Sequence, residues 1–218
     1  MRRTVILFVL VSTYIFSSCK NEDKKEVSEN LLSNESNAVE VMTVNPLING
    51  KLVINTQKSS IFWRGTMLFS FGEHYGNVNF KDGFVELDND KIVGGSFTVD
   101  MNTIVNTDGD YSQDLVDHLK NEDFFEVNKY PEATLEFKKF ERVDKNRQKI
   151  DADLTIKGIT KRIELFNVDF DPGQNKISTK FKFDRTDFGI TYSSKGVAQV
   201  KDYAISDAIE LEVEVYLN

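Results

Sequence analysis

The chain has 218 residues, 40% of them hydrophobic and 17 of them phenylalanine, enough to build one substantial core. Its formal charge of −8 argues against nucleic acid or an anionic membrane surface as the main partner, since both call for a basic patch. A single cysteine, Cys19, excludes an intramolecular disulfide and a thiolate metal cluster.

The chain opens with a positive pair, Arg2 and Arg3, followed by a mostly apolar run from Val5 to Phe16 and the small residues Ser17-Ser18-Cys19. That run is short of the ~20 residues a spanning helix needs. The pattern resembles a bacterial lipoprotein signal, with residues 1–18 removed and Cys19 acylated; the alternative is an ordinary cleaved signal. Lipidation at Cys19 would anchor the protein to a membrane of the cell envelope, on the periplasmic or surface face, at about 0.8 kcal/mol per buried methylene. Residues 19–50 are largely polar, charged and without periodicity, and are expected to act as a tether.

From about residue 51 onward the sequence reads as strand after strand. Ile61, Trp63, Gly65 and Met67 alternate with Phe62, Arg64 and Thr66. Residues 74–80 and 84–87 read as a hairpin around Lys81-Asp82-Gly83. Further alternating runs carry Phe97, Val99 and Met101, then Ala133, Leu135 and Phe137, then Ile150 to Ile156. Lys157-Gly158 reads as a turn before Ile163 to Phe170, and Ile177, Thr179, Phe181 and Phe183 follow. The last run places Ile209, Leu211, Val213, Val215 and Leu217 on one face and Glu210, Glu212 and Glu214 on a solvated one. Eight or nine strands with turn signals between them predict an all-β antiparallel sandwich or closed barrel.

One stretch interrupts the pattern. After a turn-rich break at residues 106–110, Ser112 to Leu119 changes towards helical period, with Ser112 as cap and Leu115 and Leu119 on one face. The segment closes on Phe124-Phe125 and Tyr130-Pro131. A short helix and aromatic cluster inserted among strands is a candidate lid or plug.

Five stretches in order then resemble the YceI-like family of lipid-binding proteins. They are Trp63-Arg64-Gly65 with Gly72 to Gly76; Gly94 to Met101; His118-Leu119 with Asp123 to Phe125 and Tyr130-Pro131; Leu154 to Lys161; and Asp184 to Ile190 with Asp207. The resemblance spans about residues 51–218. It implies an eight-stranded antiparallel lipocalin-like β-barrel with one short helix near the mouth. It also implies non-enzymatic binding of a polyisoprenoid, quinone-type or fatty-acyl chain, with no cofactor beyond that lipid. A barrel of this size holds side chains or one slender ligand.

The expected apolar lining is Trp63, Phe97, Val99, Phe124, Phe125, Phe137, Phe181 and Phe183, subject to the rule that a one-residue slip exchanges the two faces. His74, His118 and Arg185 are candidates for holding a polar head, Arg185 through a fork that pairs with two pyrophosphate oxygens. Each has a structural alternative: rim or core histidines, and a salt-bridge network of Asp100, Arg185, Asp187 and Asp207. No metal signature or nucleophile elbow is present. Two other functions stay open: a hydrolase or isomerase on lipid-like substrates using His74 or His118, and a ligand-free structural lipoprotein. A homodimer is compatible with either.

Overall fold

A computed structural model describes residues 46–69, 72–109, 113–196 and 204–218. The expected signal and tether up to residue 45, including Cys19, lie outside the described residues, as does the expected cap Ser112.

Nine strands and one α-helix are described: β1 (Gly50–Val53), β2 (Ser60–Thr66), β3 (Glu73–Asp88), β4 (Lys91–Asn106), α1 (Gln113–Lys120), β5 (Glu132–Arg142), β6 (Arg147–Ile156), β7 (Ile159–Asp171), β8 (Lys176–Asp184) and β9 (Ala208–Tyr216). Each strand from β2 to β9 pairs antiparallel with the next, and β2 pairs with β9, for example Trp63 opposite Leu211. The eight therefore close into a barrel with no free edge. β1 stands outside the ring and pairs with Phe84–Leu87 of β3, beyond the stretch that β2 uses.

The hairpin expected around Lys81-Asp82-Gly83 does not exist. β3 runs unbroken for 16 residues, and these polar residues sit at a register shift against β4, between Phe80 and Asp82. A bulge has the same small and polar composition as a turn, but it bends the strand instead of reversing it. The reversal comes at Asn89-Asp90, both with positive φ (50° and 61°), as a two-residue hairpin of the primed type requires. Lys157-Gly158 makes the corresponding turn between β6 and β7, with φ of 51° and 74°.

Alternation sets the inside and outside of the wall. On β9, Val215 is buried while Glu212 and Glu214 are exposed. Those glutamates, with Glu210, pair across the outer surface with Lys176, Lys180 and Lys182 of β8. Exposed pairs of this kind contribute little to stability each. The interior is filled unevenly. Val85, Ile92, Ile150 and Leu165 are fully enclosed. Val99, Leu135, Phe181, Leu211 and Val213 also belong to the inner core yet are only partly buried. Inward side chains keep free surface only where no neighbour reaches them, and that free surface is the wall of a cavity.

Helix α1 buries Val116 and Leu119. Its exit is tied back by Phe125 N donating to Leu119 O (3.1 Å) and Val127 N donating to Lys120 O (2.9 Å), with Glu126 at φ 48° making the reversal. This holds Phe124 and Phe125 beside the helix instead of in solvent.

Candidate functional site: an apolar tunnel inside the barrel

Two cavities lie end to end within the barrel. The larger, about 180 Å³, is at the helix end and is lined by Trp63, Met101, Leu115, Leu119, Phe124, Phe125, Phe183 and Ile209 among others. The smaller, about 80 Å³, is lined by Phe80, Phe97, Phe137, Phe181, Val213 and Val215 among others. Five residues border both: Ile61, Val99, Ala133, Leu154 and Leu211. They form a waist contributed by β2, β4, β5, β6 and β9. At ~25–30 Å³ per packed carbon or water, the larger cavity has room for about 6–7 such groups and the smaller for about 3. Nearly all the surface turned into either cavity is carbon, although Thr134 and Thr179 border the smaller and Thr66, Glu73, His74 and Arg185 the larger.

Strand chemistry explains this shape. Period-two alternation puts Trp63 two positions from Ile61 and from Gly65 on the inner face of β2. Trp63 is fixed by its indole N–H, which donates to Val105 O at 3.2 Å. Opposite it stands Gly76, where a Cβ would come within 1.8 Å of that same carbonyl, so β3 and β4 approach there only because the residue is glycine. Gly95 plays a similar part lower down, since a Cβ there would meet the Phe137 ring at 2.7 Å. Phe137 in turn meets Phe97 edge-on with centroids 5.3 Å apart, and Phe97 is 6.0 Å from Phe80. These rings floor the smaller cavity in the tilted and edge-on geometries that aromatic pairs favour.

The eight residues expected as lining, six from strand runs and Phe124 and Phe125 from the aromatic cluster, lie on these walls: Trp63, Phe124, Phe125 and Phe183 in the larger cavity, Phe97, Phe137 and Phe181 in the smaller, and Val99 in both. The waist residues Ala133 and Leu211 were not singled out from sequence, although each sits in a recognised alternating run. Thr179 was also passed over as a site residue. It lines the smaller cavity, and its buried Oγ1 has no hydrogen-bond partner.

The three polar candidates separate. His74, opposite Gly65 at the start of β3, borders the larger cavity with half of its side chain exposed. Its Nδ1 is 2.7 Å from Oδ2 of Asp108, whose side chain is only 7% exposed. The same oxygen accepts from Asn106 Nδ2 at 3.1 Å, so the carboxylate is held from behind. His118 is not among the cavity-lining residues. Its Nε2 is 3.0 Å from Asp123 Oδ2, and its ring packs edge-on against Phe124 and Tyr192, with centroids at 5.0 and 4.5 Å. It braces the back of Phe124.

Arg185 borders the larger cavity, but its side chain is only 2% exposed. Nε donates to Ser206 O at 3.0 Å, Nη1 to Ile190 O at 3.0 Å and Nη2 to Ile205 O at 3.3 Å. Burial pulls its pKa down from the usual range, while Asp207 and Asp184 oppose that pull. The fork that was expected to grip a pyrophosphate is thus engaged in stitching the β8–β9 connection to itself. Of the carboxylates grouped with it, Asp207 lies 3.7 Å from Nη2, while Asp187 lies 3.7 Å from Lys161. Among the described residues, no group of three His, Cys, Asp or Glu side chains comes together as a metal site would require.

A YceI-like domain matches residues 52–217. Among solved structures, Burkholderia cenocepacia BcnA is similar at 16% identity, with a TM-score of 0.58 over 74% of this chain and 98% of that one. A mutant of the Campylobacter jejuni YCEI protein is 27% identical, with a TM-score of 0.51 over 65% of this chain and 84% of that one. A polyisoprenoid binding domain from Saccharophagus degradans, implicated in plant cell wall breakdown, is 13% identical, with a TM-score of 0.49 over 78% and 99%. None of the curated proteins matches the chain. With the matched domain covering the whole barrel from β2 to the end of β9, the chain belongs to the YceI-like family.

Proposed function

We propose that this protein binds one long apolar chain, of the isoprenoid, quinone-type or fatty-acyl class, with its tail threaded through the waist and its head near His74. The observation that carries this reading is the pair of abutting cavities, whose walls offer hydrocarbon almost everywhere. Water gains little in such a space, whereas each methylene moved into it from water gains about 0.8 kcal/mol. About ten methylenes would gain roughly 8 kcal/mol, enough to offset much of the ~4–15 kcal/mol that association costs.

The role proposed is carriage or storage without turnover. In support, no serine or cysteine is found among the described lining residues, which leaves Thr66 and Glu73, the latter ion-paired with Arg64, as the one hydroxyl and the one carboxylate among the described residues of the larger cavity. The N-terminal pattern supports a lipid anchor at Cys19, which would hold the barrel beside the bilayer that supplies its ligand. Native mass spectrometry of the purified protein, followed by solvent extraction, tests the reading. A bound chain at one copy per protein is the expected result. A protein that is empty and stays empty with added prenyl and acyl lipids would overturn it. For the anchor, Cys19→Ser should abolish incorporation of labelled fatty acid; unchanged labelling would rule out that attachment.

A further inference from the structure

We infer that the head of the bound chain is an uncharged, hydroxyl-bearing group that donates a hydrogen bond to Nε2 of His74, and that diphosphate and carboxylate heads are disfavoured. This rests on the lipid-binding reading above and specifies the chemistry at one end of that site. The polar equipment bordering the larger cavity among the described residues is small: Thr66, Glu73, His74 and Arg185. Arg185 is enclosed, with three backbone carbonyls on its guanidinium. Glu73 is negative and takes a hydrogen bond from Nε of Arg64 at 2.9 Å. Arg64 lies on the outer side of β2, where Glu210 and Glu212 add to the hold on its charge. Thr66 brings a hydroxyl that can donate or accept and so does not select among heads, which leaves His74, among the described residues, to do so.

The geometry around His74 determines what it offers. Asp108 is an acceptor only, so the nitrogen beside it, Nδ1, carries the proton. In the neutral ring Nε2 is then a bare acceptor, matched to an O–H donor such as a prenol, a long-chain alcohol or a hydroquinone. Gly65, across the strand pair, adds no side chain of its own beside the ring, and the nearest group to where one would stand is Ile209 Cδ1, 3.6 Å away. A diphosphate or carboxylate brings only acceptors to Nε2. Protonating the ring does not rescue these heads, because Asp108 balances the added charge. Removing a head charge from water without a net positive partner is strongly unfavourable.

The test is competition against a fluorescent fatty probe, using the full chain and four ligands that share one C10 isoprenoid tail. These are geraniol, its diphosphate, the corresponding carboxylic acid and the hydrocarbon with the same double bonds and no oxygen. The alcohol should bind about 3- to 10-fold tighter than the hydrocarbon, the worth of one hydrogen bond, and at least about tenfold tighter than either anion. His74→Phe should remove the advantage of the alcohol, read as the ratio of alcohol to hydrocarbon affinity within that variant. His74→Gln, which restores an acceptor, should recover part of that advantage. Anions that bind as well as the alcohol would overturn the inference, as would a His74→Phe variant that keeps the preference or a His74→Gln variant that regains none. If none of the four competes, the tail-binding reading itself fails and this inference falls with it.

Discussion

Replacing Ala133 by leucine tests the tunnel at its narrowest place. Ala133 faces inward from β5 opposite Val99 of β4, and both border the two cavities. Three added carbons at that point would separate the smaller cavity from the larger. The smaller cavity has room for about 3 methylenes. At about 0.8 kcal/mol each, a chain excluded from it forfeits at most ~2.4 kcal/mol, and affinity for the longest chains should fall by about 50-fold. Titration with a homologous series of primary alcohols resolves this. Affinity in the parent protein should rise with each carbon until both cavities are full. In Ala133→Leu the rise should stop about 3 carbons earlier, with short alcohols bound as before. Overpacking ordinarily costs ~1–3 kcal/mol, but here the new side chain enters free space, so the melting temperature should change little. An unchanged break point in a folded variant would refute the idea of one continuous tunnel.

Other residues supply further tests. Arg185→Met leaves the carbonyls of Ser206, Ile190 and Ile205 without their donor and should destabilise the fold by about 3–5 kcal/mol in urea titrations; a loss below ~1 kcal/mol would contradict the stitching role. Thr179→Val keeps the shape of the side chain while deleting an unpartnered buried hydroxyl, and should raise stability by up to ~1–3 kcal/mol; a clear loss would show that the hydroxyl is satisfied in solution. Glu210 has its pKa lowered from 4.5, first by the hydrogen bond from Lys180 and then by that from Lys182. A depressed carboxylate adds stability that is complete above its unfolded-state value and disappears as pH falls through the folded one. Acid unfolding of Glu210→Gln should therefore be less steep than that of the parent below about pH 4.5, a difference that identical acid titrations would disprove.

Much of the wall was legible because alternation is a local signal. Once Phe97 and Val99, or Phe181 and Phe183, are placed on one face of a strand, closure of the sheet carries them inward together. The same reading failed at Lys81-Asp82-Gly83, where turn-like composition served a bulge in a 16-residue strand, and it passed over the two residues Asn89-Asp90 that make the reversal. The polar ends of the site were less legible because their partners are distant. Asp108 is 34 residues from His74, and Arg185 is enclosed by carbonyls contributed mainly by Ile205 and Ser206, about 20 residues on. A backbone carbonyl has no sequence signature, so nothing in the pattern around Arg185 distinguishes a guanidinium that meets a ligand from one that closes a loop. The cavity itself is the space that Val99, Leu211 and Val213 leave unfilled, a property of side-chain volumes summed around a closed ring.

The central claim is that a tail crosses the waist and ends among Phe97, Phe137 and Phe181. A crystal structure with a long primary alcohol brominated at its far end, phased to show the bromine, tests it most directly. The account predicts one bromine peak within the smaller cavity and the hydroxyl close to Nε2 of His74. A bromine confined to the larger cavity, lying on the outer surface, or absent from a saturated crystal would contradict it.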